Sequence, residues 1–220
     1  MQEVIGLPVR ERPLLRGVLH QIAFYVALAG NAVLLFRARG ADAFAGALVY
    51  GTCLCVLLGT SALYHRKTWG PAAKERMRRL DHSAIFFLIA GTFTPMCLLL
   101  TDGRALALSL VWSVAVLGVL RAVFWRNAPK PLVAALCVAF GLSAIPLLGN
   151  VLHATGPVPL ALVLTGGVLY IAGAAIYSLR RPDPVPHIFG YHEVFHALVV
   201  AASVCHYFAI TAVVRALSVV

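Results

Sequence analysis

Long apolar runs alternate with short polar connections along almost the whole chain. Seven runs stand out, at residues 18–36, 43–64, 83–100, 106–124, 132–148, 158–179 and 194–214. A helix needs about 20 apolar residues to cross the hydrocarbon core of a membrane. Because the runs are continuous and do not alternate with a period of two, they predict helices and exclude barrel strands. The pattern predicts an all-α membrane protein, a seven-transmembrane helix bundle forming one domain over residues 1–220.

Basic residues collect in alternate connections. Of the 18 Lys and Arg residues, 14 lie in the N-terminal segment or in, or within four residues of, the second, fourth and sixth connections. Connections rich in Lys and Arg stay on the cytoplasmic side. We therefore expect a cytoplasmic N-terminus, including a segment at residues 1–16, and a C-terminus outside. The connection at residues 66–79, with six basic residues, is expected to be a loop facing anionic lipid.

Composition supports a membrane location and argues against a nucleic-acid-binding protein. The chain is 61% hydrophobic and 12% charged, against about 25% charged in soluble domains. Its net charge of +10 would fit a nucleic-acid ligand, but the basic residues lie between the apolar runs. They therefore indicate membrane topology, with membrane lipids as partners and no nucleic acid.

Histidines and an aspartate interrupt the apolar runs near their predicted cytoplasmic ends. His192 and His196 are four residues apart, so they share one helix face. His65 ends the second run, with Ser61 one turn before it, and Asp81 precedes the third run. Ionisable residues in membrane segments indicate function, and catalytic zinc sites use three protein ligands. The sequence predicts a Zn²⁺ site at His65, His192 and His196.

The same segment, HEVFH at residues 192–196, also matches the H-E-x-x-H motif of metalloproteases, with Glu193 as the base. No acidic residue follows Glu193 that could be a third ligand, so a protease is the weaker interpretation. On a helix Glu193 points about 100° away from His192, toward lipid headgroups or a neighbouring helix. His206 lies about 15 Å further along the helix and is expected to pack or to form a hydrogen bond there. Three histidines near the membrane surface or in a connection are expected to be solvated, namely His82, His153 and His187.

Three blocks of sequence resemble one known family. They are SALYH at 61–65, LDHS at 80–83 leading to GTFTP at 91–95, and HEVFHALVVAA at 192–202, with Arg16-Gly17 just before the first span and His20 at its start. They are similar to the hemolysin III proteins, the bacterial branch of the progestin and adiponectin receptor family. The resemblance implies a multi-pass protein of the bacterial inner membrane with zinc held by the three histidines. It also implies that Asp81 holds a zinc-bound water and that Ser61 lines the site. Glu193 stands where receptors of the family often carry Gln, which leaves open an extra acid near the metal.

The resemblance extends, at the Ser, Asp and three His positions, to alkaline ceramidases. It implies hydrolysis of a lipid amide or ester in membrane homeostasis, with Asp81 and Ser61 as catalytic residues. One alternative is a receptor or sensor of membrane state in which zinc is structural. A channel or transporter should carry more charge within its spans, and a cytolysin, which the family name suggests, should carry an amphipathic toxin segment. The lipid, the oligomeric state and turnover itself stay open at this point.

Overall fold

The computed structural model of the protein describes residues 13–125 and 127–219, so the predicted segment at 1–16 lies mostly outside the described residues. Seven helical stretches in these ranges are long and apolar enough to cross a membrane, which confirms the predicted bundle. The helices are α1 (Val18–Arg37), α2 (Ala41–Arg66), α3 (Pro71–Leu98), α4 (Arg104–Phe124), α5 (Lys130–Leu142), α6 (Leu148–Thr155), α7 (Pro157–Leu179) and α8 (Tyr191–Leu217). A 3₁₀ turn at Ile145–Leu147 joins α5 to α6, and the two helices together form the fifth span.

The predicted loop at residues 66–79 is wrong, because α3 already begins at Pro71. Proline is favourable at the first position of a helix, where its missing N–H costs nothing. Further along, the Glu75 carboxylate accepts hydrogen bonds from Arg78 at 3.0 Å and from Arg79 at 3.2 Å. Such pairs three and four residues apart stabilise a helix. The charged residues therefore extend α3 beyond the apolar run instead of separating two helices.

The predicted end of the fifth span at residue 148 is also wrong. The chain continues through the 3₁₀ turn around Pro146 into α6 and stays helical to Thr155. Proline lacks the N–H that would bond to the preceding turn, so it breaks the regular helix without ending the span. His153, predicted to lie in a solvated loop, is an exposed residue of α6.

Helix α8 lies at the centre of the bundle. It packs against α1, α2, α3, α6 and α7, whereas α4 packs mainly on α3, and α5 mainly on α7. Large apolar side chains point outward from the peripheral helices, and Phe36 and Phe124 are each 79% exposed. An outward apolar surface of this kind suits contact with lipid. The central position of α8 directs its histidines toward the inside of the bundle.

The N-terminal segment, the end of α2 and the start of α8 meet at one end of the bundle, which we call the histidine end. The backbone N–H groups of Leu14 and Leu15 donate to the carbonyls of His187 and Ile188 at 3.0 and 3.1 Å. At the opposite end, the Arg39 backbone N–H donates to Ser218 Oγ at 3.0 Å. The end of α2 and the start of α8, which were predicted to lie on the same side of the membrane, are therefore at the same end of the bundle.

Two adjacent glycines of α7 allow a test of the α7–α8 contact. A Cβ on Gly166 would overlap the ring of His206, whereas a Cβ on Gly167 would meet nothing within 4 Å. His206 Nε2 donates to the Val163 carbonyl at 3.2 Å, which confirms its predicted structural role. We expect Gly166→Ala to lower the free energy of unfolding by about 1–3 kcal/mol, as overpacking does.

The matched substitution Gly167→Ala should be neutral or stabilise α7 by up to about 1 kcal/mol, because alanine favours a helix more than glycine does. Thermal unfolding in detergent measures both variants. Equal effects of the two substitutions would show that close approach at Gly166 does not hold these helices together.

Candidate metal centre

Three imidazoles converge at the histidine end. His65 comes from the last turn of α2, and His192 and His196 come from the first two turns of α8. His65 Nε2 and His192 Nε2 are 3.1 Å apart, and one ligand atom from each of the three residues lies within 4.8 Å of the others. The structure therefore brings the sequence-predicted ligand set together, although His65 and the two histidines of α8 are more than 120 positions apart along the chain.

The donor set fits a single metal ion. Imidazole nitrogens bind zinc at about 2.0–2.1 Å, which places tetrahedral ligand atoms about 3.4 Å apart. The observed spacing of up to 4.8 Å is wider, so the rings must move closer together to hold one ion at that value. In addition, Nδ1 of the buried His196 has no hydrogen-bond partner, an unfavourable state for a polar atom inside a protein. These three histidines could hold one metal ion.

A serine and an aspartate share the cavity with the three histidines. Ser61 is buried one turn before His65 on α2, and Asp81 lies on α3. Both residues line the same cavity as the three imidazoles. An acid and a hydroxyl beside a candidate metal site are the groups that can move a proton or donate to a developing negative charge.

This cavity has a volume of about 870 Å³ and extends from the histidines into the middle of the bundle. Its inner wall consists mostly of apolar side chains, among them Leu88, Val138, Leu148, Val168 and Ile171, contributed by α3, α5, α6 and α7. The volume lies within the range of pockets that take small organic ligands. A lipid chain suits such a wall better than a polar metabolite does, because apolar surface gains free energy when it leaves water.

Comparison with known proteins decides the family. Residues 9–207 match the model of the family described as Haemolysin-III related. The chain belongs to this family. Hemolysin-3 from Bacillus cereus is 28% identical over 199 residues, covering 88% of this chain and 87% of its own.

Relatives in eukaryotes carry receptor names. An adiponectin receptor protein of Drosophila melanogaster is 29% identical over 76% of this chain, and the match covers 41% of that longer protein. An ADIPOR-like receptor of Saccharomyces cerevisiae is 31% identical over 72% of this chain and 56% of its own length. The predicted resemblance to hemolysin III and adiponectin receptor proteins is thus confirmed.

In this haemolysin-III related protein a fourth histidine adjoins the cluster, and its role was not predicted from the sequence. His20 of α1 is 3% exposed and stacks on His196 with ring centroids 3.8 Å apart and planes 2° from parallel. A histidine inside an apolar run is the signal that could have identified it. The stack fixes the ring of His196 from the side of α1.

Two orientations were expected for Glu193, toward lipid headgroups or toward a neighbour in the bundle. Its side chain faces a neighbouring segment of the chain. It is 1% exposed and forms an ion pair with Arg16, from Nε to Oε1, at 2.5 Å. Its other oxygen accepts the backbone N–H of Gly190 at 2.9 Å, at the start of α8. Glu193 does not line the cavity, so its position opposes the metalloprotease interpretation. It ties the N-terminal segment to the helix that carries the histidine pair.

Two further histidines were expected to be solvated. His187 is exposed in the connection before α8, as predicted. His82 is partly buried and lines the cavity beside Asp81, which was not anticipated. His82 therefore belongs to the wall of the site, although it is not one of the three clustered imidazoles.

Proposed function

We propose that this protein is a zinc-dependent hydrolase of an amide or ester bond in a membrane lipid. The observation that carries the proposal is the placement of Ser61 and Asp81 beside three clustered histidines at the mouth of an apolar cavity. Three imidazole ligands match the ligand number of catalytic zinc sites, which keep one position open. A role in membrane homeostasis follows if the substrate is a lipid of the surrounding bilayer.

A zinc ion held by His65, His192 and His196 would act as a Lewis acid and acidify water at neutral pH. The Asp81 carboxylate is placed to accept a proton from the attacking nucleophile and to return it to the leaving group. The Ser61 hydroxyl can donate to an oxyanion that develops on the substrate. The apolar wall of the cavity excludes water and aligns the lipid chain.

We further propose that the histidine end faces the cytoplasm and that the membrane is the bacterial inner membrane. The support is the distribution of charge, since 14 of 18 basic residues lie in, or within four residues of, the N-terminal segment and the connections on its side. Cytosolic cysteine labelling of single-cysteine variants at residue 67 and at residue 102 tests this orientation. Labelling at residue 102 from the cytoplasm, without labelling at residue 67, would reverse the topology.

Replacing Asp81 by asparagine should lower lipid turnover by at least about 100-fold, the usual contribution of a general base. Bound metal should stay at the wild-type level because Asp81 is not one of the clustered histidines. The assay measures release of a labelled acyl group from N-acyl and O-acyl lipids in nanodiscs. Asp42→Asn, at the opposite end of the bundle, is the matched control and should keep full activity. Equal turnover by Asp81→Asn and wild type would remove Asp81 from the mechanism.

A receptor or sensor with a structural metal is the second candidate. Its support is the tight packing of α1 and the residue before it on the cluster, where Gly17 packs against His65 and His20 stacks on His196. The receptor names of the insect and yeast relatives add to it. A metal that only links α2 to α8 contributes folding energy without chemistry. Metal-loaded protein that unfolds earlier after chelation, yet releases no acyl group from any lipid tested, would favour this candidate over the hydrolase.

A further inference from the structure

Basic side chains surround the mouth of the cavity at the histidine end. Five of them line it from four parts of the chain, namely Arg16, Arg78, Arg79, Arg121 and Lys130. Among the described residues that line the cavity, Asp81 is the only carboxylate. An apolar chamber with a basic mouth is complementary to an amphiphile with a negative head.

Arg121 on α4 differs from the other arginines in its partners. Glu75 accepts hydrogen bonds from both Arg78 and Arg79, and Glu193 pairs with Arg16. Arg121 forms no hydrogen bond or ion pair with the described residues, and its Nε is buried without a partner. A partly buried guanidinium without an acceptor is unfavourable. The arrangement therefore calls for an anion that the chain itself does not supply.

Lys130 reinforces this site without neutralising it. Its ammonium lies over the ring of Tyr177 at 4.6 Å and near that of Tyr191 at 5.8 Å. Aromatic faces attract a cation but leave its charge intact. The first residue of α5 therefore presents a fixed positive charge to the same mouth as Arg121.

Membrane topology alone does not explain the position of Arg121. An arginine that serves only to mark the cytoplasmic side extends its guanidinium to the headgroups outside the bundle. Arg121 instead lines the internal cavity, with its Nε shielded from solvent. Its side chain is thus directed into the cavity.

We propose that the cavity binds a phospholipid with a net negative headgroup, and that Arg121 and Lys130 hold its phosphate. A guanidinium matches the geometry of phosphate with paired hydrogen bonds. The surrounding cations disfavour a choline group, so the site selects anionic over zwitterionic phospholipids, and the acyl chain lies along the apolar wall. This inference rests on the proposed lipid-binding role of the cavity and not on turnover.

Native mass spectrometry of the purified metal-loaded protein in a non-ionic detergent tests the inference. The protein is exposed to an equimolar mixture of dioctanoyl phosphatidylglycerol and dioctanoyl phosphatidylcholine, and separately to inorganic phosphate. We expect the phosphatidylglycerol adduct to exceed the phosphatidylcholine adduct about tenfold, because both lipids offer the same phosphate but the basic mouth repels the choline group of phosphatidylcholine. Inorganic phosphate alone should give no stable adduct, because the acyl chain provides much of the binding.

Arg121→Gln should remove this preference while it retains wild-type metal content. The matched control is Arg104→Gln, at the other end of α4, where Arg104 pairs with Asp42 outside the cavity; it should keep the preference. Equal adducts of the two lipids with wild type, or an unchanged preference in Arg121→Gln, would overturn the inference. A phosphate adduct that depends on Arg121 would assign the site to free phosphate instead.

Two outcomes separate this inference from the hydrolase proposal. A selective phosphatidylglycerol adduct on a protein that releases no acyl group would refute hydrolysis alone. Turnover without headgroup preference would refute the present inference alone. If Arg121→Gln fails to fold, Lys130→Gln takes its place. We expect Lys130→Gln to bind phosphatidylglycerol with a smaller preference over phosphatidylcholine than wild type does, and an unchanged preference would overturn the inference.

Discussion

Replacing His196 by alanine is expected to abolish metal binding by the purified protein. His196 is 2% exposed and is one of the three histidines whose ligand atoms lie within 4.8 Å of one another. Its loss leaves two imidazoles, fewer than the three protein ligands of catalytic zinc sites. Because loss of an outer-shell partner already costs 10- to 100-fold in metal affinity, loss of a ligand should cost more than about 100-fold.

Elemental analysis after dialysis measures the effect, with His206→Ala as the matched control. His206 lies on the same helix but bonds to Val163 in α7, outside the cluster. It should therefore keep the wild-type metal content. Full metal content in His196→Ala would place the metal elsewhere in the chain.

Replacing Glu193 by alanine should produce the largest loss of stability among the substitutions considered. The substitution leaves Arg16, which is 22% exposed, without its carboxylate and removes the acceptor of the Gly190 N–H. Removing one partner of a buried ion pair costs about 3–5 kcal/mol, because the other charge is left uncompensated. We expect a decrease of about 3 kcal/mol in the free energy of unfolding, at the lower end of that range because Arg16 is partly exposed.

The control for this prediction is Asp42→Asn, which breaks the exposed pair between Asp42 and Arg104. Exposed ion pairs contribute roughly 0–1 kcal/mol, so this variant should unfold close to the wild-type temperature. Both variants are compared by thermal unfolding in the same detergent. If Glu193→Ala is no less stable than Asp42→Asn, the N-terminal segment does not hold α8 in place.

The seven spans could be predicted because membrane crossing imposes a length on each apolar run. The same length criterion gave wrong helix boundaries where a helix extends beyond its apolar run. Residues 71–82 are helical although they are charged, since Glu75 bonds to the arginines of the following turn. Pro146 interrupts the fifth span without ending it. Hydropathy detects the hydrocarbon core, and it does not detect helix that continues into the interface.

The histidine cluster could be predicted from helix periodicity and from counting the spans. His192 and His196 share a face by spacing, and an even number of crossings returns His65 and the start of α8 to one side. The contacts of the N-terminal segment could not be predicted in this way. Nothing in the local pattern joins Arg16 to Glu193 or stacks His20 on His196, because such long-range contacts depend on how α1 packs beside α8.

The central claim is that His65, His192 and His196 together bind one zinc ion. X-ray absorption at the zinc edge of the purified wild-type protein tests it most directly. We expect stoichiometric zinc with three imidazole nitrogens at about 2.0–2.1 Å and no sulfur ligand. A sulfur shell at about 2.3 Å, or protein that retains no zinc after mild purification, would contradict it.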